Sequence, residues 1–278
     1  MIDAWGGARQ RLGKLFYGWW IVVSGFALQA INGGLLFHGF TVYFLPLQEE
    51  FGWSRALVAT GFSVTRTESA LLGPVEGWAV DRFGPRIIVV VGVVLFGAGF
   101  VAFAAINSVL HYFLAFLLLA LGSSLGGFLP ISAAITNWFA KKRALAMGIG
   151  MTGMGFGGLL VPALAWSVTT YGWRTTALAS GILVWVVGIP AALLLRHKPE
   201  SYGYLPDGAE AAPKTNIAAA PSQVHQTEGA TPATDDFSVK EALKTPAFWF
   251  ISGGHASALL VVSAVSLHQV PHMVQRLQ

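Results

Sequence analysis

Six stretches of this chain run for 20 or more residues without one Asp, Glu, Lys or Arg: 15–48, 87–106, 112–140, 144–173, 175–195 and 245–275. A bilayer span needs about 20 predominantly apolar residues, so each can cross a membrane. A seventh stretch, 56–80, is long enough but holds Arg66, Glu68 and Glu76. A single apolar run in lipid can satisfy its own backbone only as a helix. The alternating pattern of membrane-barrel strands is not present. The expectation is therefore an all-α membrane protein with seven spans. Only 11% of residues are charged, against about 25% in soluble domains.

Basic residues set the orientation. With the N-terminus inside, thirteen Lys and Arg fall in inner segments, three in outer segments and Arg66 within a span. Cytoplasmic loops carry such an excess, so a cytoplasmic N-terminus is expected, in an inner or plasma membrane. The first apolar run is too long for a signal-peptide core and is read as retained. The net charge of +4 is the charge of these loops. The aromatics lie inside apolar runs, not on a basic face, so no nucleic-acid partner is expected. There is no cysteine, which excludes disulfides and thiolate metal sites. No metal site, cofactor or catalytic constellation is expected, and the chain does not read as an enzyme. His268 and His272 stand at i, i+4 but lack a third ligand. Residues 209–236 are rich in Ala, Pro and Thr and bury little, which reads as a linker.

Ten residues between the second and third runs spend several charges at fixed spacing: Gly77-Trp-Ala-Val-Asp81-Arg82-Phe-Gly84-Pro-Arg86. Gly84 and Pro85 suit a tight turn. Gly77 lets the second helix approach a neighbour, and Asp81 can face helix N-termini, whose dipoles favour an anion. This pattern resembles the loop between helices 2 and 3 of the major facilitator superfamily of transporters. Other stretches are similar to its monocarboxylate and oxalate–formate branch. They are Tyr17-Gly18-Trp19-Trp20, the run from Phe44 to Arg55, the run from Trp138 through Lys141, Lys142 and Arg143 to Gly148, Pro199-Glu200, Pro206-Asp207-Gly208, and the run from Thr245 to Trp249.

The resemblance implies a six-helix N-terminal bundle of the major facilitator fold plus one further transmembrane helix. Residues 1–16 would form a cytoplasmic tail, 17–195 the bundle, 196–243 a cytoplasmic linker, and 244–278 the seventh helix, which opens a second half. A relative would continue past Gln278, so a truncated chain, or one that associates with a complementary half, is expected. The implied function is transport of small organic anions by alternating access, with or without a proton. Symport and antiport stay open. A non-transporting membrane scaffold and a seven-helix receptor are the rival readings. An inside N-terminus opposes the receptor.

Candidate site residues follow from charges inside the spans. Arg66 lies about 16 Å along a helix from Arg55. A charge at that depth needs a partner or a watery cavity, which suits attraction of an organic anion. Glu68 would take up or release a proton. Asn32 and His38 lie along the first helix, which lines the cavity in the superfamily. In the superfamily the acid at Asp81 helps latch the two halves. Gly77, Asp81, Arg82, Gly84 and Arg86 form the gating loop, with Arg82 and Arg86 equally readable as a solvated turn. Glu76 is expected to reach cytoplasmic water or Arg82. Asn137 and Trp138 read as membrane-interface anchors. Gly148–Gly153 spells G-x-G-x-x-G, but a dinucleotide site needs a strand before it, and this one lies within a span. Gly73–Gly77, Gly122–Gly126 and Gly153–Gly157 each fit the G-x-x-x-G spacing that lets helices pack closely.

Overall fold

A computed structural model describes residues 16–202, 204–208, 241, 243–258 and 261. The chain divides into two units, 1–214 and 215–278. Unit one holds six helical rods. They are α1 (Gly18–Phe51), α2 (Arg55–Phe83), α3 (Pro85–Ala104), α4 (Val109–Trp138), α5 (Arg143–Tyr171) and α6 (Trp173–Leu194). All but α2 are long and apolar enough to cross a membrane, and α2 carries Arg66, Glu68 and Glu76. In the second unit, residues 246–258 are helical. Trp249 donates its indole N–H to the Leu243 carbonyl at 3.0 Å. His268 and His272 lie outside the described residues.

Local chemistry explains where the rods begin and end. Ser54 caps α2 by accepting the Leu57 N–H at 3.2 Å, and Ser108 caps α4 by accepting from His111 at 3.3 Å. Between α2 and α3 the chain reverses at Gly84, whose φ of 80° is costly for any residue with a Cβ. Pro85 follows as the first residue of α3, where its missing N–H costs nothing.

Two rods are irregular. α1 is α-helical to Asn32, π-helical over Gly33–His38 and 3₁₀ over Gly39–Tyr43, then α-helical again. α4 breaks after Leu125 and resumes at Phe128.

In lipid there is little hydrophobic drive between helices, so close packing and interhelical hydrogen bonds carry the association. α3 packs chiefly on α4 and α6, α1 on α5, and α2 on α4. A Cβ at Gly153 would lie 2.9 Å from the Phe26 carbonyl carbon, and one at Gly33 3.0 Å from that of Met154. The α1–α5 seam is thus backbone against backbone. Gly122 meets the Phe96 backbone in the same way. Gly73 and Gly77 differ, since a Cβ at either would meet nothing within 4 Å. The expected approach at Gly77 is therefore not made among the described residues. Hydrogen bonds add to the packing: Tyr112 Oη donates to the Val58 carbonyl at 2.6 Å, and the Ser24 hydroxyl to that of Ala191.

The two ends of the bundle are fastened differently. At the end of α1, Glu50 accepts from Arg174 at 2.7 Å and from the Trp173 indole at 2.6 Å. Arg174 also donates to the Ala104 carbonyl at 2.9 Å, so one guanidinium joins three chain segments.

At the opposite end a strap follows α6. Arg196 lies 3.8 Å from the Tyr17 ring centroid and 4.2 Å from that of Tyr202. Trp138 donates to the Arg196 carbonyl and Asn137 to that of His197, each at 3.1 Å. Trp138 is fully buried. These two are pins for the strap and not the interface anchors their position suggested.

The strap ends at Asp207, whose carboxylate accepts the backbone N–H groups of Ala140, Lys141 and Lys142 at 3.1, 2.6 and 3.2 Å. Partial burial pushes this carboxyl up. The three donors, joined by the Lys141 charge, outweigh that and hold it below the usual carboxylate range.

Candidate functional site

The polar cavity of unit one is built from four rods. It has a volume of about 310 Å³ and lies among α1, α2, α4 and α5. On α2 its lining is Thr65, Ser69, Gly73 and Glu76, a spacing that keeps one helical face. Asn32 of α1 and Ser123 and Ser124 of α4 complete its polar wall.

Asn32 and Ser123 hold each other. The break in α4 lets the Gly127 N–H donate to the Ser124 carbonyl at 3.0 Å. The Ser123 carbonyl accepts instead from Asn32 Nδ2 at 3.0 Å, and Ser123 Oγ donates back to Asn32 Oδ1 at 2.9 Å. Asn32 is the last α-helical residue before the π segment of α1. The pair therefore joins the irregular point of one rod to that of another.

Most hydroxyl protons in the wall are already used. Thr65 donates to the Phe62 carbonyl at 2.8 Å, Ser69 to Glu68 Oε2 at 3.3 Å and Ser123 to Asn32. Glu76 is only 6% exposed, and its Oε1 has no hydrogen-bond partner among the described residues.

Of the four cavity candidates named from sequence, the three whose side chains are described are not brought together. Asn32 stands in the polar cavity. Glu68, 5% exposed, borders a different crevice of about 520 Å³ between α2 and α4, whose wall includes Leu71, Leu72, Phe113 and Leu117. His38 is exposed, with its carbonyl accepting from Thr41 at 3.1 Å. Arg66 is described only as a backbone position within α2.

Around the turn between α2 and α3, Asp81, Arg82 and Arg86 are exposed. Arg82 lies 5.7 Å from the Trp78 ring and 5.9 Å from that of Phe83. Beyond the loop, Lys141 and Lys142 meet Asp207 through their backbone, and Arg143 donates to the Phe139 carbonyl at 3.2 Å. Gly148 has open space around it. The G-x-G-x-x-G run lies wholly inside the helix Arg143–Phe156.

Glu76 is the cavity residue that sequence reasoning misplaced. It is buried and does not reach toward Arg82, because it shares the Thr65–Ser69–Gly73 face of α2. That spacing was the available signal. Ser123 and Ser124 could have been found from the neighbouring Gly126-Gly127, a pair that invites a helix break.

A family model described as Major Facilitator Superfamily matches residues 22–276. Monocarboxylate transporter 11 of Homo sapiens is 31% identical over 204 residues, covering 73% of this chain and 42% of the relative. The oxalate:formate antiporter of Oxalobacter formigenes is 27% identical over 263 residues, 92% of this chain and 57% of the antiporter. Monocarboxylate transporter 13 of Bos taurus is 30% identical over 205 residues, 66% of this chain and 48% of the relative. The chain spans about half the length of the curated relatives it matches.

Proposed function

This integral membrane chain belongs to the Major Facilitator Superfamily, and on that premise we propose that it moves small organic anions of the monocarboxylate or oxalate–formate class. The observation that carries the reading is a polar cavity walled by four rods, in a chain whose relatives are named for carrying such anions. Alternating access places the substrate between two halves that rock about it. Residues 17–195 form one half, and the reading requires another, begun by 244–278 or supplied by association. The N-terminus and the segment 196–243 lie on the cytoplasmic side, in keeping with the excess of Lys and Arg in those segments.

Cavity chemistry bears on the division of labour. With three of its hydroxyls committed, the wall offers an anion little beyond Asn32 and Ser124. Attraction of the anion falls to Arg66 and to cationic groups of the second half, while Asp81 latches the halves. A carboxyl on α2 handles any coupled proton.

Reconstitution tests this. Purified chain in liposomes, alone and co-expressed with a second half, is assayed for uptake and exchange of labelled lactate, formate and oxalate. Saturable flux of at least one of these, reduced in Arg66→Ala, is the expected result. No flux of any of them in either preparation defeats the reading and favours a non-transporting role.

A further inference from the structure

Three hydroxyls between α5 and α6 have no proton left to give. Thr176 Oγ1 donates to the Gly172 carbonyl at 2.9 Å, so Ser167 is the donor in the 2.8 Å bond between Ser167 Oγ and Thr176 Oγ1. Ser180 Oγ donates to the Thr176 carbonyl at 2.8 Å. A hydroxyl has one proton and two acceptor lone pairs. Ser167 Oγ is therefore left as an acceptor only. So is Ser180 Oγ, beside which the buried Tyr43 phenol stands without a hydrogen-bond partner among the described residues.

These hydroxyls stand in the wall of a crevice of about 300 Å³ among α1, α5 and α6. The gap is left by Ala163 and Ala179, which are too small to close the seam between α5 and α6. The rest of the wall is Leu35, Leu160, Leu164 and Leu183, and no charged residue lines it. The volume is about ten times one water's share of the liquid, and a water needs roughly two to four polar partners, which leucines do not supply. Polarity is ordered along the crevice. At about 1.5 Å per residue, Ser167 lies about 6 Å from the end of α5 at Tyr171, and Thr176 about 5 Å from the start of α6 at Trp173. Leu160 and Leu183 lie about 15 Å from the same end. A polar group near the membrane rim with hydrocarbon further in is also how an amphiphile lies in one leaflet.

We propose that this crevice binds a lipophilic alcohol drawn from the surrounding membrane. Its hydroxyl donates to Ser167 Oγ, and its hydrocarbon body lies along the leucines. An O–H donor answers an acceptor-only wall. An ether, ketone or ester brings only further acceptors, and a carboxylate or ammonium brings a charge that nothing in the lining meets. The crevice shares no lining residue with the polar cavity, so the proposal does not depend on what the chain carries.

Photolabelling of the purified 278-residue protein in liposomes tests this. The probe is an octanol bearing a diazirine, its control is the methyl ether of the same skeleton, and cross-linked positions are read by mass spectrometry. The alcohol should label the crevice residues of α5 and α6 saturably and be displaced by unlabelled dodecanol. The ether should label them about fivefold less, the worth of one ordinary hydrogen bond. Ser167→Ala should lower labelling by the alcohol by a similar factor, and Ser167→Thr should restore it. Ala163→Leu fills the gap from an exposed position and leaves every hydroxyl in place, so it should abolish labelling of the crevice. Equal labelling by alcohol and ether, label spread evenly over the exposed faces of α5 and α6, or labelling unchanged in Ala163→Leu overturns the proposal. A crevice that takes no label from the alcohol overturns it as well.

Discussion

Replacing Gly153 with alanine adds one methyl group to a helix, which in open space is stabilising. Alanine exceeds glycine by about 0.8–1.0 kcal/mol in helix propensity. At Gly153 the methyl would lie 2.9 Å from the Phe26 carbonyl carbon and nearer still to its oxygen, whereas ordinary contact begins at 3.4 Å. α5 must therefore retreat from α1 by at least about 0.5 Å. The obstacle is backbone, which cannot swing away as a side-chain tip can. Overpacking of this kind costs about 1–3 kcal/mol. Gly155, two residues on in the same helix, has nothing within 4 Å of its own Cβ position and serves as the control.

The experiment is thermal unfolding in a mild detergent, comparing Gly153→Ala with Gly155→Ala. At about 2–4 °C per kcal/mol for a domain of this size, Gly153→Ala lowers the midpoint by several degrees while Gly155→Ala leaves it level or slightly higher. Equal effects at the two positions would falsify the claim that the α1–α5 seam depends on backbone contact.

Two further outcomes follow from side-chain geometry. Because the Asp207 carboxyl lies below the usual range, its hold on the strap is complete above an ordinary aspartate's pKa and is lost as pH falls through its own lowered value. The protection of the Lys141 and Lys142 amides, corrected for the intrinsic slowing of exchange in acid, should therefore be high at neutral pH and fall on acidification; Asp207→Ala should lower it throughout, and a pH-independent protection in the wild type would sink the argument. In the cavity wall, Asn32→Ala strands the Ser123 carbonyl, at a cost of about 1–3 kcal/mol. A double-mutant cycle with Ser123→Ala, read by thermal unfolding, should give a coupling of about 0.6 kcal/mol or more, the scale of interhelical hydrogen bonds in membranes. Strict additivity would mean the pair is incidental.

Much of the fold is legible from where charge is missing. Five of the six charge-free runs lie on α1 and on α3 through α6, and the reversal at Gly84 follows from a glycine beside a proline. What depends on neighbours is not legible in this way. The same G-x-x-x-G spacing marks Gly153–Gly157, pressed against α1, and Gly73–Gly77, which meets nothing in its own unit. Spacing states that close approach is possible and not which rod will come close. Glu76 was assigned to water because it lies one turn from Asp81. Its burial depends on the direction its face of α2 takes, and that direction is decided by α4 and α1. Trp138 was assigned to the membrane boundary by its type and position, but a chain segment returning from nearly sixty residues later covers it.

The fastening of Asp207 moves the point at which the chain leaves the bundle. Counted from the end of α6, 49 residues (195–243) lie before Lys244. The strap takes up the first of these against the bundle, so the chain departs from the α4–α5 loop and not from the end of α6. A cut or a fused domain placed after Gly208 leaves this moorage intact. One placed between Leu195 and Asp207 casts it off, and the point of departure returns to the end of α6.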